Sequence, residues 1–192
     1  CYDRLRYFLV KMTDSFLFQK KYDYKGLLKD ASRGIALIQS LDQLARLIVT
    51  LMSLRARIKN VASFVSSRDG KTLELKALRG YGKQAMKDRI SFNHPLIRMV
   101  QASHQPVRFS DLREMKDVNV NDLEMIQSEM KEWKAEVIIP SFLGRNTTGL
   151  HLGDAASLRS LLVLGRKRSD EAYSDEDLAV FFALAQEAAV GV

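Results

Sequence analysis

A short apolar run closed by glycine and followed, after a polar turn, by a capped helix fits few architectures, and residues 158–190 form such a unit. Leu161-Leu162-Val163-Leu164 ahead of Gly165 has the length and continuity of a buried central strand. Ser174 stands three residues before Asp177, so its hydroxyl is placed to cap the free amides of a helix start, while the carboxylates there favour the positive helix end. A helix is therefore predicted from near Asp175. Its apolar residues Leu178, Phe181, Phe182, Ala185, Ala188 and Ala189 recur at three and four and leave Glu176 and Glu187 outside the stripe. Any α/β domain with a buried strand ahead of a helix accommodates this unit.

The residues Leu162-Val163-Leu164-Gly165-Arg166-Lys167, then Ser169, Tyr173-Ser174 and Glu176-Asp177-Leu178, resemble the C-terminal end of a GAF domain, a small-molecule-binding sensor module of bacterial signalling proteins. A second resemblance lies upstream. Phe16-Leu17-Phe18-Gln19-Lys20-Lys21-Tyr22-Asp23-Tyr24-Lys25-Gly26-Leu27-Leu28 is similar to the juncture between membrane region and GAF domain in a group of bacterial sensor histidine kinases. The bland alternative for that stretch is a surface helix anchored by Tyr22 and Tyr24.

Size and composition suit one globular domain with extra length: 192 residues, 46% hydrophobic and 28% charged. Cys1 is the single cysteine, which leaves no disulfide framework, no cysteine metal site and no internal thiol nucleophile, and fits a reducing compartment. No apolar run approaches the ~18 to 20 residues of a spanning helix, and no signal peptide is visible, so the chain is expected to be soluble. The abrupt start at Cys1-Tyr2-Asp3-Arg4 and the helix-like finish before Gly191-Val192 predict a piece of a longer protein.

The net charge of +7 is all N-terminal: residues 1–60 hold 12 Lys/Arg against 5 Asp/Glu, whereas residues 61–192 hold 18 of each. Basic and aromatic residues form no stacking platform there and no helix-turn-helix pattern is found, so nucleic acid is not expected as a partner. A cytoplasmic segment just after a membrane span would also be basic.

In chain order, Leu5, Phe8, Leu9, Met12 and Phe16 make one helical stripe, and Leu28, Ala31, Ile35 and Ile38 continue it. Ser40 with Gln43 predicts a break and a new helix from Asp42, with Leu44, Leu47, Ile48 and Leu51 on the sheet. Asp69-Gly70 between two strand-like runs, residues 60–67 and 72–79, predicts a hairpin, with Leu73, Leu75 and Ala77 on one buried face. Gly80-Tyr81-Gly82 ends it, and a short helix is predicted over residues 83–88. Asn93 is read as the cap, and Pro95 as the first turn, of a helix through Leu96, Ile97 and Val100. Gln105-Pro106 stops that helix before a strand at residues 107–109. Asn121 is read as the cap of a helix carrying Leu123, Ile126 and Met130, and Val137-Ile138-Ile139 is the fourth strand.

Two helices followed by ββααβαββα match the GAF layout from Leu37 onward. The expected fold is α+β, layered α/β/α: a GAF-like, PAS-related antiparallel sheet flanked by helices, with a long N-terminal helix. Residues 1–39 are read as a signalling and linker helix and residues 40–192 as the sensor domain. Residues 143–157, with Gly144, Gly149 and Gly153, depart from the family's short hairpin and would extend it through Leu150 and Leu152 or fold over the pocket.

No catalytic motif or phosphate loop emerges, and His94, His104 and His151 have no metal-ligand spacing. The resemblance implies a pocket between the sheet and the segments at residues 92–100, 109–130 and 137–142. Phe92, Phe109, Met115, Ile126 and Met130 would line it, with Asp111 and Ser141 as polar contacts; core packing is the competing reading for each. Bilin-binding and methionine-sulfoxide-reducing members need pocket cysteines absent here, and the cyclic-nucleotide motif is missing, so the cofactor or ligand is unknown. The resemblance further implies a homodimer through Leu28, Ala31, Ile35, Ile38, Phe181 and Ala185. It also implies kinase domains downstream in the same chain and a cytoplasmic position beneath an inner-membrane anchor that this sequence lacks. The function expected is that of the regulatory domain of a two-component histidine kinase. The alternatives are a dimerising spacer that binds nothing and the effector domain of a transcription regulator.

Overall fold

In a computed structural model of the chain, Asp69-Gly70 turns the predicted hairpin: β1 (Val61–Ser66) and β2 (Thr72–Arg79) pair antiparallel. Gly70 has φ +66°, and the Asp69 carboxylate accepts from the Ser67 hydroxyl and the Lys71 N–H. Those bonds, Ser67's first, hold its pKa below the usual carboxylate range. Residues 26–27, 29–31, 40–82, 86–115, 118–143 and 157–190 are described; most of the predicted N-terminal helix, and so the boundary at residue 39, lies outside them. So do residues 144–156, where the insertion falls.

Among the described residues six strands form one sheet, in which β3 (Arg89–Ser91), β4 (Val107–Arg108), β5 (Val137–Leu143) and β6 (Ser157–Leu164) join the hairpin. The order is β3-β2-β1-β6-β5-β4, antiparallel throughout. The apolar run at residues 161–164 is therefore central, with Phe64 opposite Leu161 on one side and Ile139 opposite Leu162 on the other. Pro140, which cannot donate to a ladder, lies beyond the two β5 residues that β4 pairs, where a proline is tolerated.

The helices cover both faces. Helices α1 (Leu41–Leu54) and α4 (Asp175–Val190) pack on the face bearing Val61, Val137, Ile139, Leu162 and Leu164. Helices α2 (Pro95–Ser103) and α3 (Val120–Glu132), with a 3-10 turn at Ser110–Arg113, pack on the face bearing Ala62, Phe64, Ile138, Leu161 and Val163. The α4 start is as expected: the Ser174 N–H donates to the Asp177 carboxylate at 2.8 Å and the Asp177 N–H to the Ser174 hydroxyl at 3.2 Å.

Several expectations change. Helix α1 starts at Leu41, and Ser40 makes no side-chain cap bond; Leu44, Ala45, Val49 and Met52 form its buried stripe, with Ile48 and Leu51 partly buried beside it. Residues 83–85 are outside the described part, residues 86–88 are irregular, and the missed element is β3. A three-residue edge strand with only Ile90 buried has no period to read. The β1–β2 register shifts between Ser63 and Phe64, which face Ala77 and Leu75. This bulge sends Ala77 to the α1/α4 core while Leu73 and Leu75 stay on the opposite one. The cap of α2 is His94, not Asn93, and that of α3 is Asn119, whose side chain accepts from the Asn121 N–H at 2.9 Å.

The helix residues expected in a dimer divide. Ala31, Phe181 and Ala185 are buried in the α1/α4 core of their own chain, because the sheet itself satisfies the apolar stripe. On α4, Ala179 and Ala183 instead line a groove beside Gln105 and Pro106. Leu28, Ile35 and Ile38 fall outside the described residues.

Candidate ligand site

The seven residues read as pocket lining do not converge on one cavity. Phe92, Phe109 and Met115 are partly buried against the α2/α3 core, within which Ile126 and Met130 are fully buried. Asp111 sits in the 3-10 turn with Arg108 at 3.7 Å. Ser141 is buried and shares a hydrogen bond with Ser160. Strand alternation puts it with Val137 and Ile139 on the α1/α4 side, away from the five apolar residues.

Phe109 and Met130 do meet, in a recess of about 380 Å³ at the end of the sheet. It forms where α3 stops. The Lys134 N–H donates to the Lys131 carbonyl and the Ala135 N–H to the Met130 carbonyl, and Lys134 takes φ +51° before the chain enters β5. Gly165 lets the end of β6 pass close by, since a Cβ there would lie 2.8 Å from Asn60 Cβ and 3.0 Å from the Lys134 carbonyl. Four cations line the recess, Lys59, Lys131, Lys134 and Arg166, against one carboxylate, Glu136. Arg166 donates to Glu136 at 3.0 Å, and Lys59 pairs with Asp170. Among the described residues Lys131 and Lys134 have no carboxylate partner; the Lys131 ammonium stands 6.0 Å from the Phe109 ring centroid.

A second hollow of about 810 Å³ shares Glu136 and Arg166 with the first and carries the opposite charge, from Asp111, Asp170, Glu171, Asp175 and Glu176. A third, of about 580 Å³, is a mostly apolar groove along α4 beside Gln105 and Pro106. The cationic residues were not singled out in the sequence, since Lys59 and Arg166 approach α3 only through the sheet. The spacing of Lys131 and Lys134 on either side of the α3 end is the one local signal.

Two contacts tie α4 to this region. Arg108, next to Phe109, donates to the carboxylate of Asp175, the first residue of α4. Buried Lys167 donates to the Asp177 carboxylate and, at 3.2 Å, to the Ala172 carbonyl, while the Tyr173 hydroxyl donates to the Gly165 carbonyl. Among the described residues, no group of three or more His, Cys, Asp and Glu could hold a metal ion, and no helix is long and apolar enough to cross a membrane. His94 and His104 end α2 on either side, and His104 lies 4.6 Å from the Phe142 ring, centroid to centroid.

The arrangement of sheet and helices recurs in a solved GAF domain of a phosphoenolpyruvate-protein phosphotransferase from Coxiella burnetii. The TM-score is 0.59 at 17% identity, over 88% of this chain and 92% of that one. The fold is that of a GAF domain. The same GAF fold is shared with a segment of a methyl-accepting chemotaxis protein, at 15% identity and TM-score 0.58 over 83% and 94% of the two chains. It is also shared with a far-red-absorbing protein with bound biliverdin, at 10% identity and TM-score 0.58 over 86% and 96%. No protein-family model matches the sequence, and no curated protein is significantly similar to it. At these identities the likeness is one of GAF fold.

Proposed function

We propose that this chain is a regulatory sensor of the GAF type, which takes a small molecule in the recess at Phe109 and Met130 and passes the change to α4. The observation that carries this reading is the contact between Arg108 and Asp175: a ligand on Phe109 acts one residue from the group holding the start of the helix. Binding shifts such a helix only by its differential affinity for the two positions, so R108A should uncouple helix response from binding. The resemblance of residues 16–28 and the basic N-terminal third support a place between membrane and kinase in a cytoplasmic homodimer of a bacterial sensor histidine kinase.

A second reading rests on the complete burial of Ile126 and Met130. These side chains fill space that a ligand would take, which favours a spacer that only dimerises. Native mass spectrometry separates the two. A dimer carrying extra mass supports the sensor, and a bare dimer supports the spacer. A bare monomer at tens of micromolar contradicts both. The sequence beyond residue 192 tests the kinase, which requires a phosphoacceptor histidine followed by an ATP-binding domain.

A further inference from the structure

We infer that the recess beside Lys131 and Lys134 binds an amphipathic anion, an aromatic or apolar carboxylate or phosphate ester, with its apolar body on Phe109 and its charge between the two lysines. This rests on the sensor reading and gives that site a ligand class. The charge pattern is the first support. Glu136 and Asp170 answer Arg166 and Lys59, and the two cations left over gather at one place on a body whose residues 61–192 hold equal numbers of positive and negative side chains. The adjoining hollow is acidic, so an anion is drawn to one mouth and repelled from the other.

Helix-end electrostatics alone does not explain the pair. Lys131 lies in the last turn of α3, where a cation complements the helix dipole. Lys134, however, lies past that turn at a positive φ, a backbone position filled more readily by Gly or Asn. Apolar surface is the second support. Phe109 is only partly buried and lines one recess with both lysines, whereas Met130 is fully buried; Lys131 over Phe109 is at the outer reach of a cation–π contact. Inorganic phosphate would use the charge alone and a neutral arene the ring alone.

The test is titration of the full chain with 2-naphthyl phosphate, 2-naphthol and inorganic phosphate, followed by NMR and by fluorescence of Trp133, the chain's single tryptophan. Trp133 is fully buried between the lysines in sequence. The expected result is shifts at residues 131–135 and at the Trp133 indole, with 2-naphthyl phosphate at least tenfold tighter than either fragment. K131Q/K134N, which keeps the backbone preference at 134, should abolish that advantage and leave 2-naphthol unchanged. Equal affinity for wild type and K131Q/K134N, or shifts confined to other parts of the chain, overturns the inference. In that event cargo that persists in the native mass spectrum of K131Q/K134N leaves the sensor reading standing, whereas bare protein and no binding removes both.

Discussion

His94 shows how one side chain links helix capping to pH. Its Nδ1 accepts from the Leu96 N–H at 3.3 Å. Burial is the main cause lowering its pKa from 6.5, assisted by Lys87 and Arg98 and opposed by Glu129. The unfolded chain therefore takes up this proton at higher pH than the folded one. The stabilisation is fully present above pH 6.5, declines as the pH falls through the folded value, and then levels off. Urea midpoints at pH 7.5 and 5.5 should show a smaller acid loss in H94N than in wild type, while H94A should be about 1 kcal/mol less stable at the higher pH. An identical acid loss in all three would contradict the assignment. Lys167 and Asp177 show the cost of burying charge. K167M takes the cation from the buried Asp177 carboxylate, which keeps neutral donors such as the Ser174 N–H, and should destabilise by about 3–5 kcal/mol, whereas K167M/D177L should recover part of that loss in guanidinium denaturation. The Tyr81 hydroxyl is buried without a hydrogen-bond partner among the described residues, and burial pushes its pKa up. Y81F should accordingly be neutral or stabilising, by up to about 1 kcal/mol.

At the scale of elements, ends matter more than middles. S174A removes the acceptor for the Asp177 N–H at the start of α4 and should cost about 1 kcal/mol. Gly80, after β2, has φ +84°, and a Cβ there would stand 1.8 Å from the Lys59 carbonyl oxygen. Backbone cannot yield to that contact, so G80A should lose well over about 1 kcal/mol; a denaturation midpoint equal to wild type would refute the geometry. The predicted strands and helices came through where the apolar period was long, as in β6 and α4. The caps of α2 and α3 moved by one and two residues, because Asn93 and His94, like Asn119 and Asn121, offer competing acceptors, and only the chain's approach angle selects one.

At the scale of the molecule, a single sheet separates two cores, and α4 spends its best apolar residues on one of them. Ala185 is buried there, so A185F should overpack and destabilise by about 1–3 kcal/mol, by the same amount at every protein concentration. Ala183 lies on the groove side of α4. If that side carries the proposed dimer, A183R should weaken association in sedimentation experiments and leave the stability of the monomer unchanged. The reverse pattern would move the interface elsewhere.

The sequence by itself determined the hairpin at Asp69-Gly70 and the β6–turn–α4 unit with its Ser174 cap, each written within a few residues through turn chemistry, capping and period; the layered α+β architecture came from the resemblance of the whole element order to that of GAF domains. Only the tertiary structure decided that Ala77 crosses to the other core, that Ser141 turns its back on the candidate pocket, and that Lys59, Lys131, Lys134 and Arg166 share one recess. Bulges, strand parity and sheet order set those outcomes, and they arise from pairings between segments far apart in the chain.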